Sequence, residues 1–159
     1  MPSTFYPGLS AVAVLSLFLG YLPWQVAQWT ASVALLPTIC SYLSVLFFLG
    51  GAMLFFAGAY YLSWRGDGSP FSIHPPKRMV VAGPYARLQH PMTLGVLLMV
   101  YAEALWCGSM GLVAYAVVLT LVAKLYLLLV EEPRLERHFG DDYRAYRNAV
   151  PRWIPRAVV

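Results

Sequence analysis

The side chains best suited to chemistry are one histidine and one pair of glutamates. His90 precedes Pro91 within the turn-rich, basic run KRMVVAGPYARLQHPMTLG, residues 77–95. Glu131 and Glu132 stand side by side where a long apolar tract ends. An imidazole takes up and releases protons near neutral pH. Two adjacent carboxylates repel each other and an anionic lipid surface, so they call for a cationic partner. The plainer reading of the first run is a loop that leads into a helix. Gly83-Pro84 is a turn signal. Pro91 is tolerated at a helix start because the N–H it lacks would be unpaired there anyway.

Those groups have to be positioned by helices in a membrane. Of 159 residues, 60% are hydrophobic and 11% are charged, with a mean hydropathy of +0.63. A soluble domain carries roughly a quarter charged residues, so this composition predicts an all-α, polytopic integral membrane protein forming a single domain over residues 1–159. Spans of ~20 apolar residues fit residues 9–29, 39–64, 91–106 and 110–130. Pro23 marks a kink or an end of the first span, and Thr38 is placed to cap the second. The N-terminus lacks the basic stretch and small-residue cleavage site of a signal peptide, so the first helix is expected to stay in the mature protein. Cys107-Gly108-Ser109 is a tight turn between the third and fourth spans.

Charge then orients the chain. Arg65, Lys77, Arg78 and Arg87 fall in the loop 65–90, and Arg134, Arg137, Arg144, Arg147, Arg152 and Arg156 fall in the tail 131–159. The other connections carry no Lys or Arg, so loop and tail are expected on the cytosolic side. The net charge of +4 is explained by topology and anionic lipid, with no nucleic acid required. Cys40 and Cys107 both fall near the expected non-cytosolic ends of their helices, where a disulfide is one option and two small apolar side chains the other.

In the tail, Leu135, Phe139, Tyr143 and Tyr146 recur at helical spacing, and Gly140 permits a break between two short helices. An amphipathic pair resting on the lipid interface, anchored by Trp153, accounts for arginines and aromatics but not for the paired glutamates. If the third and fourth spans form a hairpin turning at Gly108, counting ~1.5 Å per residue sets His90 level with Tyr126 and Lys124 level with Met92. Lys124 and Glu131, seven residues apart, share a helix face. His90, Lys124 and Glu131 then converge at one mouth of the bundle. Lys124 is either functional or a snorkelling side chain. Glu103 is an ionisable group deeper in the apolar region, with only tyrosines or its own protonation to neutralise it.

Lys77, Val80-Val81, Gly83-Pro84-Tyr85, His90-Pro91-Met92 and Gly95, followed by Glu131-Glu132, Leu135, Phe139-Gly140, Tyr143, Tyr146 and Val150-Pro151-Arg152, resemble the integral membrane methyltransferases related to isoprenylcysteine carboxyl methyltransferase and the phospholipid N-methyltransferases. The run from Gly66 to Pro76 resembles the bacterial branch. The resemblance implies an enzyme of the bacterial inner membrane that uses S-adenosylmethionine, releases S-adenosylhomocysteine, and takes a lipophilic or lipid-linked acceptor from the bilayer. It implies catalytic roles for His90, Glu131 and Glu132. It implies cofactor contacts from Lys77, Gly83, Pro84, Tyr85, Arg87, His90, Pro91, Glu131, Glu132, Tyr143, Arg144 and Tyr146, and no metal. The chain departs from the family pattern at Gln89, where Arg is common, and at Thr93, where Tyr is common. No Gly-rich dinucleotide loop follows a strand, which excludes a soluble Rossmann methyltransferase. A sterol-reductase-like membrane enzyme and a non-catalytic four-helix scaffold are the competing readings.

Overall fold

The computed structural model describes residues 15–29, 38–66 and 78–153. All regular structure among them is helical. A π turn, Leu17–Tyr21, leads into helix α1, Leu22–Trp29. Helix α2 is Thr38–Gly66, α3 is Pro91–Cys107 and α4 is Met110–Tyr126. A second π turn, Leu127–Glu131, joins α4 to α5, Glu132–Phe139, and α6 is Asp141–Ala149. Lys77, the run 67–76 and the start of the first expected span lie outside the described residues, as do the side chains of Thr38 and Cys40. Cys107 carries a free, exposed thiol.

The two π turns share one cause. Each ends two residues before a proline, Pro23 in one case and Pro133 in the other. Proline has no N–H and its ring crowds the preceding turn. Widening that turn to i→i+5 bonding accommodates both, and inserts one residue into the helical register. In the first turn the N–H of Leu22 reaches Leu17 O. Pro23 is next in line and cannot bond Phe18 O. The Tyr115 hydroxyl of α4 donates to that carbonyl instead, at 3.1 Å. Pro23 therefore sits within the first helix without ending it.

Two stretches are long and apolar enough to cross a membrane, Ser41–Gly66 and Met110–Phe139. The second is a correction to the span expected over 110–130. Because the π turn absorbs Pro133, the helix does not stop at the glutamates but carries them on through α5. At 17 residues, α3 is about 25 Å long, short of the ~30 Å hydrocarbon layer. It is cut off by Pro91 at one end and by Gly108, at φ +60°, at the other. The Ser109 hydroxyl then caps α4 by accepting from the Leu112 N–H. The outward side chains include Leu46, Leu49, Met53 and Phe56 on α2 and Leu121, Leu125 and Leu129 on the α4 side. So large a continuous apolar surface suits hydrocarbon and not water.

α2 and α3 make the most extensive contact, and α3 and α4 form the expected hairpin. The α2–α3 crossing is closest at two glycines. A Cβ on Gly51 would lie 2.6 Å from Gly95 O, and one on Gly95 would lie 2.6 Å from Gly51 O. Small residues allow such an approach where hydrocarbon gives helices no hydrophobic reason to associate. At the site end, Gly83 opens a short 3₁₀ turn, Gly83–Ala86, at φ +60° beneath the Tyr61 ring. The buried core of this end is Tyr143, Tyr146 and Val150, flanked by Met79, Leu135 and Phe139. The aromatic face of the tail is thus turned onto the protein's own loop and not onto lipid. Gly140, at φ +58°, makes the break between α5 and α6.

Candidate active site

The site forms where the start of α3, the end of α4 and the tail meet. His90 is the residue before α3, in a non-helical conformation (φ −126°, ψ 64°), outside the α region that Pro91 disfavours in its predecessor. Its side chain is 5% exposed. Nδ1 lies 3.5 Å from Glu131 Oε1 and Nε2 lies 3.7 Å from Glu132 Oε1. The carboxylates differ sharply, with 38% of the Glu131 side chain exposed and 5% of Glu132. Glu132 Oε2 accepts from the Arg152 guanidinium at 2.8 Å. His90 Nε2 and Glu132 Oε1 are buried without a hydrogen-bond partner. They face each other across a gap too wide for a direct bond. A ligand donor entering the site would satisfy the one oxygen of Glu132 that lacks a partner, Oε1.

His90 and Glu132 line a cavity of about 390 Å³ with Thr120, Lys124, Leu127, Leu128, Arg152 and Trp153. The volume is within the range of small-molecule sites, ~300–1,000 Å³. The Glu132 carboxylate, the imidazole and the Arg152 guanidinium in one apolar-walled pocket are complementary to a zwitterion joined to an apolar group.

The sequence-based depth count expects His90, Lys124 and Glu131 at one mouth; His90 and Lys124 do share the cavity, and Glu131 does meet His90, at 3.5 Å. Lys124 shares the cavity with Glu132, eight residues on, because the π turn adds one residue to the register. Glu131 meets His90 from the more exposed side. Tyr85 and Tyr143 border the pair. Burial, then the Glu131 carboxylate, pushes the Tyr85 hydroxyl well above its usual value. Burial, then Glu132 and Glu131, raises Tyr143 to about 12. Both phenols therefore stay un-ionised at neutral pH and remain donors. The Tyr143 hydroxyl is also buried without a hydrogen-bond partner.

Other expected site residues hold the tail in place or lie apart. The Tyr146 hydroxyl is 2.8 Å from Tyr85 O and 3.3 Å from Leu88 O. Gly83 and Pro84 shape the turn that presents those carbonyls. Arg87 is exposed and does not line the cavity. Arg144 is 59% exposed and bonded to Glu136 and Asp141, so the structure does not bring it to the site. α6 turns that face outward once its tyrosine face is buried.

Gln89 points away from the cavity. Its Nε2 donates to Arg147 O at 3.0 Å and to Val150 O, and its backbone N–H donates to Pro151 O at 3.1 Å. Where the resemblance leads one to expect Arg, this chain has a glutamine clamp that holds Val150–Pro151, next to the Arg152 that pairs with Glu132. Arg152 and Thr120 escaped the sequence-based choice of site residues. Arg152 sits in the motif Val150-Pro151-Arg152, which was the only signal for it. Tyr146→Phe removes the hydroxyl that stitches tail to loop. The expected loss is about 1 kcal/mol, read as a lower unfolding midpoint in detergent, with the helical content unchanged.

Comparison with known proteins bears directly on this pocket. A family model described as phospholipid methyltransferase matches residues 39–142, from the start of α2 into α6. An uncharacterized protein of Haemophilus influenzae is 36% identical over 63 residues, which make up 40% of this chain and all of that protein. No solved structure matches. The family match takes in the α2–α3 crossing, the His90 turn, both glutamates and most of the helical bundle, so the chain belongs to the phospholipid methyltransferase family.

Proposed function

We propose that this protein transfers the methyl group of S-adenosylmethionine to a lipophilic or lipid-linked acceptor at the cytosolic face of the inner membrane. The observation that carries the reading is the buried His90–Glu132 pair, whose unpartnered Nε2 and Oε1 open onto a cavity bordered by Arg152 and Lys124. The donor set fits the cofactor's amino-acid end. Glu132, with Glu131 beside it, suits the ammonium, and Arg152 suits the carboxylate. The bound cofactor supplies a sulfonium-activated methyl group.

The chain's own task is then to bind, orient and exclude water. Orientation alone accounts for ~7–11 kcal/mol in well-aligned systems. His90, held between two carboxylates, is placed to accept a proton if the acceptor is protonated. Trp153, Leu127 and Leu128 keep the cavity wall apolar. The cytosolic assignment rests on the lysines and arginines of the 65–90 loop and the tail.

The test is binding of S-adenosylhomocysteine to the purified protein in detergent, by calorimetry and thermal shift. Stabilisation of ~2.7 kcal/mol is expected at a hundredfold excess over Kd. Absence of binding at millimolar ligand, in folded protein, overturns the reading. Stabilisation by a nicotinamide nucleotide instead transfers the site to the reductase class.

A further inference from the structure

Lys124 is the charged cavity group to which the arrangement above gives no ligand. It is an exposed cation within the apolar helix α4, with exposed Leu121 and Leu125 beside it. It makes no ion pair among the described residues. A charge at such a position is costly and marks either a snorkelling side chain or a binding group. Its neighbour in the cavity, one turn away, is already engaged. The Thr120 hydroxyl donates to Ala116 O at 2.8 Å and lies 3.2 Å from the Tyr101 hydroxyl. On the α4 wall Lys124 therefore supplies the free N–H donors. It also stands apart from the polar end. Eight residues separate it from Glu132, about 12 Å along the helix, and Arg152 already occupies the place beside Glu132.

Resting on the reading that the site takes a lipophilic acceptor, we propose that Lys124 binds the oxyanion of that acceptor, which is an anionic amphiphile. An oxyanion arriving along the apolar flank of α4 meets an unpaired ammonium in surroundings of low dielectric, where the attraction is strong. A cationic headgroup meets repulsion there, and a neutral one leaves the ammonium unpaired. Carboxylate and phosphate lipids share this chemistry.

The test uses the full-length protein in a non-ionic detergent and amphiphiles of one chain length: oleate, oleyl phosphate, oleyl alcohol and oleylamine. Binding is read by displacement of a fluorescent fatty acid. Wild type is expected to hold the two anions at least about tenfold more tightly than the alcohol or the amine. Lys124→Met and Lys124→Gln should abolish that preference, and Lys124→Arg should keep it, since loss of a charge-assisted bond is worth about ten- to a hundredfold. S-adenosylhomocysteine affinity should be unchanged in all three variants. A preference that survives in both neutral variants makes Lys124 a snorkelling residue and overturns the proposal. So does wild type without headgroup preference. If the neutral variants instead lose S-adenosylhomocysteine affinity but retain 5′-methylthioadenosine, which lacks the amino-acid end, the oxyanion is the cofactor's own carboxylate and the proposal is likewise overturned. Wild type that selects anions yet binds no S-adenosylhomocysteine overturns the methyltransferase reading and leaves the role of Lys124 standing.

Discussion

Glu132→Gln should weaken S-adenosylhomocysteine binding by about ten- to a hundredfold while the protein stays folded. The substitution keeps the shape of a side chain that is 5% exposed and removes its charge. The amide oxygen can still accept from Arg152, which stands 2.8 Å from Oε2, so the tail keeps its anchor. What disappears is the charge-assisted bond that the unpartnered Oε1 offers to a ligand ammonium, worth ~1.5–3 kcal/mol. Glu131→Gln should cost far less. At 38% exposure its charge is screened by solvent, and pairs of that kind contribute ~0–1 kcal/mol. His90→Ala should resemble Glu132→Gln, since both line one cavity. The sequence alone ranked the two glutamates equally, so their separation tests the structure as well as the function. Titration of the cofactor product against each variant is the measurement. Equal, wild-type affinity in all three would place any cofactor elsewhere.

Gly95→Val should destabilise the protein more than any substitution at the site. A side chain there has no direction in which to yield. Its Cβ would fall 2.6 Å from Gly51 O, 2.9 Å from the Phe55 N–H nitrogen and 3.0 Å from Phe55 Cβ. Two of these are backbone atoms of α2, so relief requires moving one helix off the other. Overpacking of this kind costs ~1–3 kcal/mol and sometimes more, and the clash with backbone puts Gly95→Val at or beyond the upper end. Binding should fall with stability, because α3 carries His90 and Pro91 at its first turn. Gly50→Val is the control: a Cβ at Gly50 meets nothing within 4 Å, so its unfolding midpoint should stay near wild type. A wild-type midpoint for Gly95→Val in detergent would show that the crossing is looser than described.

Much of the local structure is written in short runs of residues. Pro91 starts α3, Gly108 ends it, Ser109 caps α4 and Gly140 divides the tail, because each restricts or frees the backbone at its own position. The spacing of Leu135, Phe139, Tyr143 and Tyr146 correctly marked one face of the tail. The periodicity could not say whether lipid or protein covers that face; contact with the 78–90 loop decided it. The counts that brought His90 and Lys124 together held because a hairpin with a tight turn leaves little freedom in depth. Glu131 does meet His90, but the cavity that Lys124 lines takes in Glu132, because 3.6-residue periodicity assigns faces only while the helix remains α. Pro133 widened the preceding turn and moved Glu132 into the cavity. Arg152 on Glu132, Gln89 on the tail carbonyls, Arg144 turned outward and Gly51 against Gly95 are pairings between positions distant in sequence. No local propensity encodes such pairings; they exist only once the helices have packed.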